Sequence, residues 1–168
     1  WTIVISVPLQ MIIGDTVGRD VFNYQPIKTA SIEGVWDTQK GAPLLLFAIP
    51  DQEKQENKYT ISVPHLASLL NTHSWDGELV GLKTVAKADQ PKVAIVFFSF
   101  RIMVGIGVLM LFIMLWHLVL RYKGRLFDTK IFLKSLLFMA PLGFIATVSG
   151  WITAEVGRQP WVIYNVLR

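Results

Sequence analysis

The chain has 168 residues, 52% of them hydrophobic and 17% charged, with no cysteine and a formal net charge of +4. Soluble chains carry about 25% charged residues, and here the charge is gathered into blocks between long apolar runs, which argues against a soluble globule, a disordered tail or a disulfide-stapled secreted domain. Without cysteine there are no thiolate zinc sites, iron–sulfur clusters or cysteine nucleophiles.

In chain order, residues 1–13 form an apolar run too short to span a bilayer alone, and the end of a transmembrane helix is expected there. Residues 14–92 hold ten acidic and eight basic side chains and the turn words Gly41-Ala-Pro43 and Ile49-Pro-Asp51. A segment of that length is expected to be a functional extramembrane loop. Residues 93–120 are apolar apart from Arg101 and His117, and residues 131–154 carry a single charge, Lys134. Both exceed the roughly 20 apolar residues that a spanning helix needs. The link 121–130 has four basic residues against one acid, Asp128, which marks the cytoplasmic side. The loop 14–92 and the segment 155–168 then lie on the outer face. The expected fold is all-α, a polytopic transmembrane helical bundle with an extramembrane loop.

Three clusters stand out chemically. Arg101 lies about nine residues inside an apolar run, where a charge costs at least about 2.5 kcal/mol at the bilayer centre. It either snorkels to the interface or balances a buried anion such as a haem propionate. Met103, about 200° round the helix, faces elsewhere; it is either packing or a thioether ligand for a haem iron. Gly105 and Gly107 would admit a flat macrocycle or a neighbouring helix. At the end of the last run, Trp151, Glu155 and Arg158 share a helical face. They read as an interfacial belt with an ion pair, or as a carboxylate kept at the membrane face as a metal ligand or proton carrier. Pro160 is expected to stop that helix. Lys28 and Glu33, five apart, diverge by about 140° on a helix, but as a loop pair could grip a polar ring substituent from two sides. His65 and His73 read as solvated surface and His117 as interfacial. Nothing resembles a phosphate loop or a nucleic-acid surface.

The words GWITAEVGRQPW (150–161), SFRIMVG (99–105), KTASIEG (28–34), FAIPDQE (47–53) and GLK (81–83), with GDTVGRDVFNYQP (14–26), together resemble the C-terminal portion of subunit I of cytochrome bd-type quinol oxidases. That resemblance implies an enzyme of the bacterial or archaeal cell (inner) membrane, multi-pass, oxidising quinol and reducing dioxygen to water while contributing to a proton gradient. It implies that Met103 is an axial ligand of the low-spin haem b, with Arg101 beside it. Glu155 matches the carboxylate associated with the high-spin haem b, with Trp151 and Arg158 near the haems, and a haem d or further haem b is implied at the oxygen site. Lys28 and Glu33 match the quinol-binding and oxidising residues of the loop 14–92. Subunit II, small single-helix subunits and membrane lipid are implied as partners, and no nucleic acid. Only nine residues, 84–92, separate GLK from the next apolar run, which resembles the short-loop branch of the family. From other classes, a secondary transporter built around Arg101 and Glu155, or a non-catalytic scaffold subunit of a respiratory complex, would also fit the hydropathy.

Overall fold

The structure, a computed structural model, describes residues 2–162, 164 and 166–168. Helix α1 runs over Thr2–Tyr24 and α2 over Pro26–Glu33. The helix expected to stop near residue 13 therefore continues past the polar Asp15, Arg19 and Asp20. Gly14 and Gly18 cost a helix only about 1 kcal/mol each, whereas Pro26 cannot continue one. Pro26 instead opens α2 at its first turn, where a missing N–H costs nothing. Gly34, in the left-handed region at φ 69°, closes that helix, and Val35 N donates to Ala30 O at 2.9 Å.

Four strands between α2 and the next long helix correct the all-α expectation. Strands β1 (Gln39–Lys40), β2 (Leu44–Asp51) and β3 (Glu56–Val63), helix α3 (Leu66–Thr72) and strand β4 (Glu78–Leu79) lead through two short 3₁₀ turns to that helix. β2 and β3 form an antiparallel hairpin from Leu44↔Val63 to Asp51↔Glu56, and β1 pairs with β4. Aromatic and β-branched residues in both arms suit a pleated surface. The turn is fixed by Asp51, whose Oδ1 accepts from Glu53 N and Lys54 N, each at 3.2 Å. Lys58 closes it from the opposite strand onto Asp51 Oδ2 at 2.7 Å.

The words FAIPDQE and GLK acquire structural meanings in this subdomain. Gln52 Nε2 donates to Pro91 O at 3.0 Å while its Oε1 accepts from Val93 N, tying the hairpin to the next long helix. Gly81 lies against the backbone of residues 36–38, where a Cβ would stand 2.4 Å from Asp37 C. Lys83 pairs with Asp37 at 2.7 Å. Ile27, Ala30, Trp36, Leu82 and Val93 form the core under this subdomain.

Helices α4 (Val93–Tyr122) and α5 (Lys130–Val156) are long and apolar enough to cross a membrane. At 1.5 Å per residue they measure about 45 and 40 Å. Ile113, Leu120, Phe132 and Met139 pack between them, with Trp116 edge-on to Phe132 at 5.3 Å. Nearer the subdomain, Ser99 and Thr153 share a hydrogen bond of 2.9 Å between the two helices. Phe112, Leu137, Phe138 and Phe144 are exposed on the outer surfaces, as suits helices that face hydrocarbon.

Candidate functional site

The first turns of α4 meet the subdomain through Arg101. Its Nε and Nη2 both donate to Leu45 O, at 2.8 and 2.6 Å, and its Nη1 donates to Ile32 O at 2.6 Å. The guanidinium also lies over the Phe97 ring, 3.3 Å from its centroid. One cation thus gathers the end of α2, strand β2 and helix α4. Arg101 turns inward to main-chain oxygens rather than snorkelling outward.

Glu33, the last residue of α2, sits beside this clamp and is only 4% exposed. Asn71 of α3 donates from Nδ2 to Glu33 Oε1 at 3.1 Å. Oε2 is buried, has no hydrogen-bond partner among the described residues, and lies 3.9 Å from Arg101 Nη2. Burial pushes the carboxyl above its usual range, opposed by the Asn71 hydrogen bond and the Arg101 charge.

Lys28 belongs to different surroundings. Its stem passes so close to Gly157 that a Cβ there would stand 3.1 Å from Lys28 Cγ. Burial and the charge of Arg158 hold the lysine below its usual range, and Glu155 pulls it back up. Glu155 and Arg158 form an ion pair at the end of α5. They line a cavity of about 520 Å³ with Gln90, Lys92, Gln159 and Trp161. Trp151 is not among its lining residues and is 75% exposed.

Met103 faces a third region, an apolar cavity of about 670 Å³ between α1, α4 and α5. Its floor includes Gly14, Gly107, Gly143 and Gly150. A Cβ at Gly14 or Gly107 would meet nothing within 4 Å among the described residues, and one at Gly150 would stand 2.8 Å from Met103 Sδ. A thioether on a slot bared by glycines, of a volume usual for cofactor pockets, fits a flat macrocycle with one axial sulfur ligand. Glu155 offers a carboxylate, 60% exposed and already engaged by Arg158. Among the described residues no three His, Asp or Glu side chains converge as a metal site.

The family model described as cytochrome bd terminal oxidase subunit I matches residues 1–168. The chain belongs to that family. It is 33% identical to the cytochrome bd ubiquinol oxidase subunit 1 of Bacillus subtilis over 164 residues, covering 92% of this chain and 35% of that protein. It is 29% identical to the cytochrome bd-II ubiquinol oxidase subunit 1 of Escherichia coli over 221 residues, covering 92% of this chain and 43% of that protein. Among solved structures, the bd oxidase from Geobacillus thermodenitrificans aligns with a TM-score of 0.85 at 30% identity, over 98% of this chain and 38% of the other. The chain therefore spans well under half the length of these relatives. The same share of this chain takes up 221 residues in the E. coli subunit but 164 in the B. subtilis one, so the former carries extra residues inside the matched region. In this chain nine residues, 84–92, separate GLK from α4.

Within this bd-family chain the sequence-derived residues fall into three places rather than one. Arg101 and Glu33 meet, Lys28 joins Glu155 and Arg158, and Met103 stands in the apolar slot with Gly150. Lys28 and Glu33 do not grip one group from two sides, because they share a helix rather than a loop and their side chains diverge. Asn71 and Gln52 escaped sequence reasoning, since each acts on a partner about 40 residues away. Gly157 was legible only as part of the GRQPW word; its use is to admit the stem of Lys28.

Proposed function

We propose that this chain is the quinol-oxidising and haem-holding portion of a membrane quinol:oxygen oxidoreductase. One observation carries the reading. On a single helix, Arg101 binds the end of α2 that bears Glu33, while Met103, two residues on, faces a glycine-bared slot. The same element thus serves a polar site at the membrane surface and a cofactor site within the bundle.

In this reading α4 and α5 cross the cell membrane of a bacterium or archaeon in a polytopic bundle, residues 1–13 are the end of a further spanning helix, and the subdomain lies on the outer face. Met103 would hold a low-spin haem b through its thioether, with Arg101 beside it. Glu155 would serve a high-spin haem b, with Trp151 and Arg158 close by, and the remaining oxygen-site haem, d or b, would take its ligands from elsewhere in the enzyme. Bound haems supply one-electron carriage and the reduction of dioxygen to water. Subunit II, small single-helix subunits and lipid complete the assembly.

The chain's own residues bind quinol and handle its protons. Lys28, half-buried and flanked by Glu155 and Arg158, is placed to hydrogen-bond a quinol oxygen. Glu33 takes up a released proton, since a carboxyl pushed upward by burial holds a proton closer to neutral pH than an exposed one. The two act on opposite sides of α2. Release of protons outside, with uptake for oxygen reduction from inside, would build a gradient without a pump.

The test is a dithionite-reduced minus air-oxidised spectrum of the full-length enzyme and its Met103→Leu variant. Loss or conversion of the low-spin b signal, with the other haem bands kept, is the expected result. An unchanged low-spin band would reject Met103 as a ligand, and a full-length protein without haem would reject the oxidase.

A further inference from the structure

Glu33 is buried between two polar neighbours from different elements. Arg101 approaches from α4 as the charged neighbour, and Asn71 approaches from α3. Lys28, the other charge on α2, diverges from Glu33 by about 140°. Asn71 itself is held: its Nδ2 donates both to Glu33 Oε1, at 3.1 Å, and to Ala67 O, at 2.9 Å. Its side chain is half-buried, between solvent and a carboxylate that solvent scarcely reaches.

An amide in that position acts in two ways. It fixes one carboxylate oxygen, which leaves Oε2 as the atom that gains and loses a proton. It also donates to the charged form and so favours it. Arg101 does not replace it: four of its five N–H groups donate to Leu45 O, Ile32 O and Phe97 O, and Nη2, which keeps the fifth, stands 3.9 Å from Oε2, beyond hydrogen-bond reach.

We propose that Asn71 is the positioning residue for Glu33, orienting its carboxyl and setting the pH range in which Oε2 takes up a proton released from quinol. This rests on Glu33 being the proton acceptor proposed above, and it adds a residue from the far half of the loop to that site. Removing the amide leaves burial less opposed, so Glu33 would hold its proton to higher pH. The acidic limb of activity would then move upward.

The experiment uses the full-length oxidase complex in membranes, with Glu33→Gln, Asn71→Leu and Asn71→Asp, assayed for quinol-dependent oxygen uptake from pH 5 to 9. Haem spectra are recorded in parallel. Asn71→Leu is expected to move the acidic limb up by about one pH unit or more, the loss of one hydrogen bond to a charged group. Rates should recover at high pH, with KM for quinol within about twofold and unchanged haem bands. Asn71→Asp, nearly isosteric and placing a second carboxylate beside the first, should move the limb further. It also serves if the leucine variant fails to assemble. If Glu33→Gln abolishes turnover but neither Asn71 variant moves the limb, or both lose rate equally at all pH, the positioning role is overturned and the proton-acceptor role stands. If Glu33→Gln keeps full activity, the acceptor reading falls and takes this inference with it.

Discussion

Two nitrogens of Arg101 converge on one main-chain oxygen, that of Leu45, from 56 residues away in sequence. A bidentate contact of this kind exploits the planar fork of arginine, which a lysine lacks. It joins the second half of the chain to the hairpin and, through Ile32 O, to the end of α2.

Arg101→Lys is therefore expected to loosen the subdomain even though the charge is kept. At least two charge-assisted bonds would be lost, each worth about 1.5–3 kcal/mol. Limited proteolysis of membranes should cut faster at the 51–56 turn, and the low-spin haem band should shift, since Met103 is on the same helix. Equal cleavage rates would show that the clamp does not hold the loop.

Gly150→Ala tests the apolar slot. The added Cβ would stand 2.8 Å from Met103 Sδ, so the thioether must turn aside. Met ligation raises a haem potential, and a displaced sulfur should lower it. A redox titration of the low-spin haem is expected to give a lower midpoint for the variant. An equal or higher midpoint would place the sulfur outside the ligand sphere.

Glu33 also bears on stability. Its folded pKa lies above the unfolded one, so the folded state binds more protons in the interval between them, and stability falls as pH rises through it. Glu33→Gln removes this loss. The melting temperature of the variant should gain on that of the parent as pH increases from 5 to 8, and parallel curves would contradict the buried state of the carboxyl.

At Gly81 the backbone of Asp37, Thr38 and Trp36 lies 2.4–2.5 Å from where a Cβ would stand. Backbone cannot yield as a side chain does. Gly81→Ala is expected to cost about 3 kcal/mol or more, among the larger effects of a single substitution, read as a lower denaturation temperature and early proteolysis of the loop.

The two long helices were plain in the sequence because bilayer thickness imposes a length that apolar runs must meet. The motif words were equally legible as words, while their spatial roles were not. FAIPDQE gave no sign that Gln52 reaches Pro91 and Val93, and KTASIEG gave none that Lys28 and Glu33 look into separate surroundings. Asp15, Arg19 and Asp20 disguised the continuation of α1 as loop, although no proline lies between Pro8 and Pro26 to stop the helix. The hairpin has no clean period-two signature, because Leu44 to Ile49 is continuously apolar and Pro43 and Pro50 read as turns. Asn71 had no local signature at all, since an asparagine near a helix end is commonplace until its distant carboxylate partner is known.

The double attachment of Gln52 to Pro91 O and Val93 N has a consequence for how such chains vary. The hairpin grips the start of α4 directly through Gln52, while Thr84 and residues 86–88 between GLK and α4 lie exposed on the surface, with Lys87 reaching back to Glu53 O. Added residues there would leave as a loop into water, at an entropic cost that grows only slowly with length. The geometry of Glu33, Arg101 and Met103 is thereby insulated from loop length, and a tag or reporter peptide placed at 86–88 should leave turnover intact.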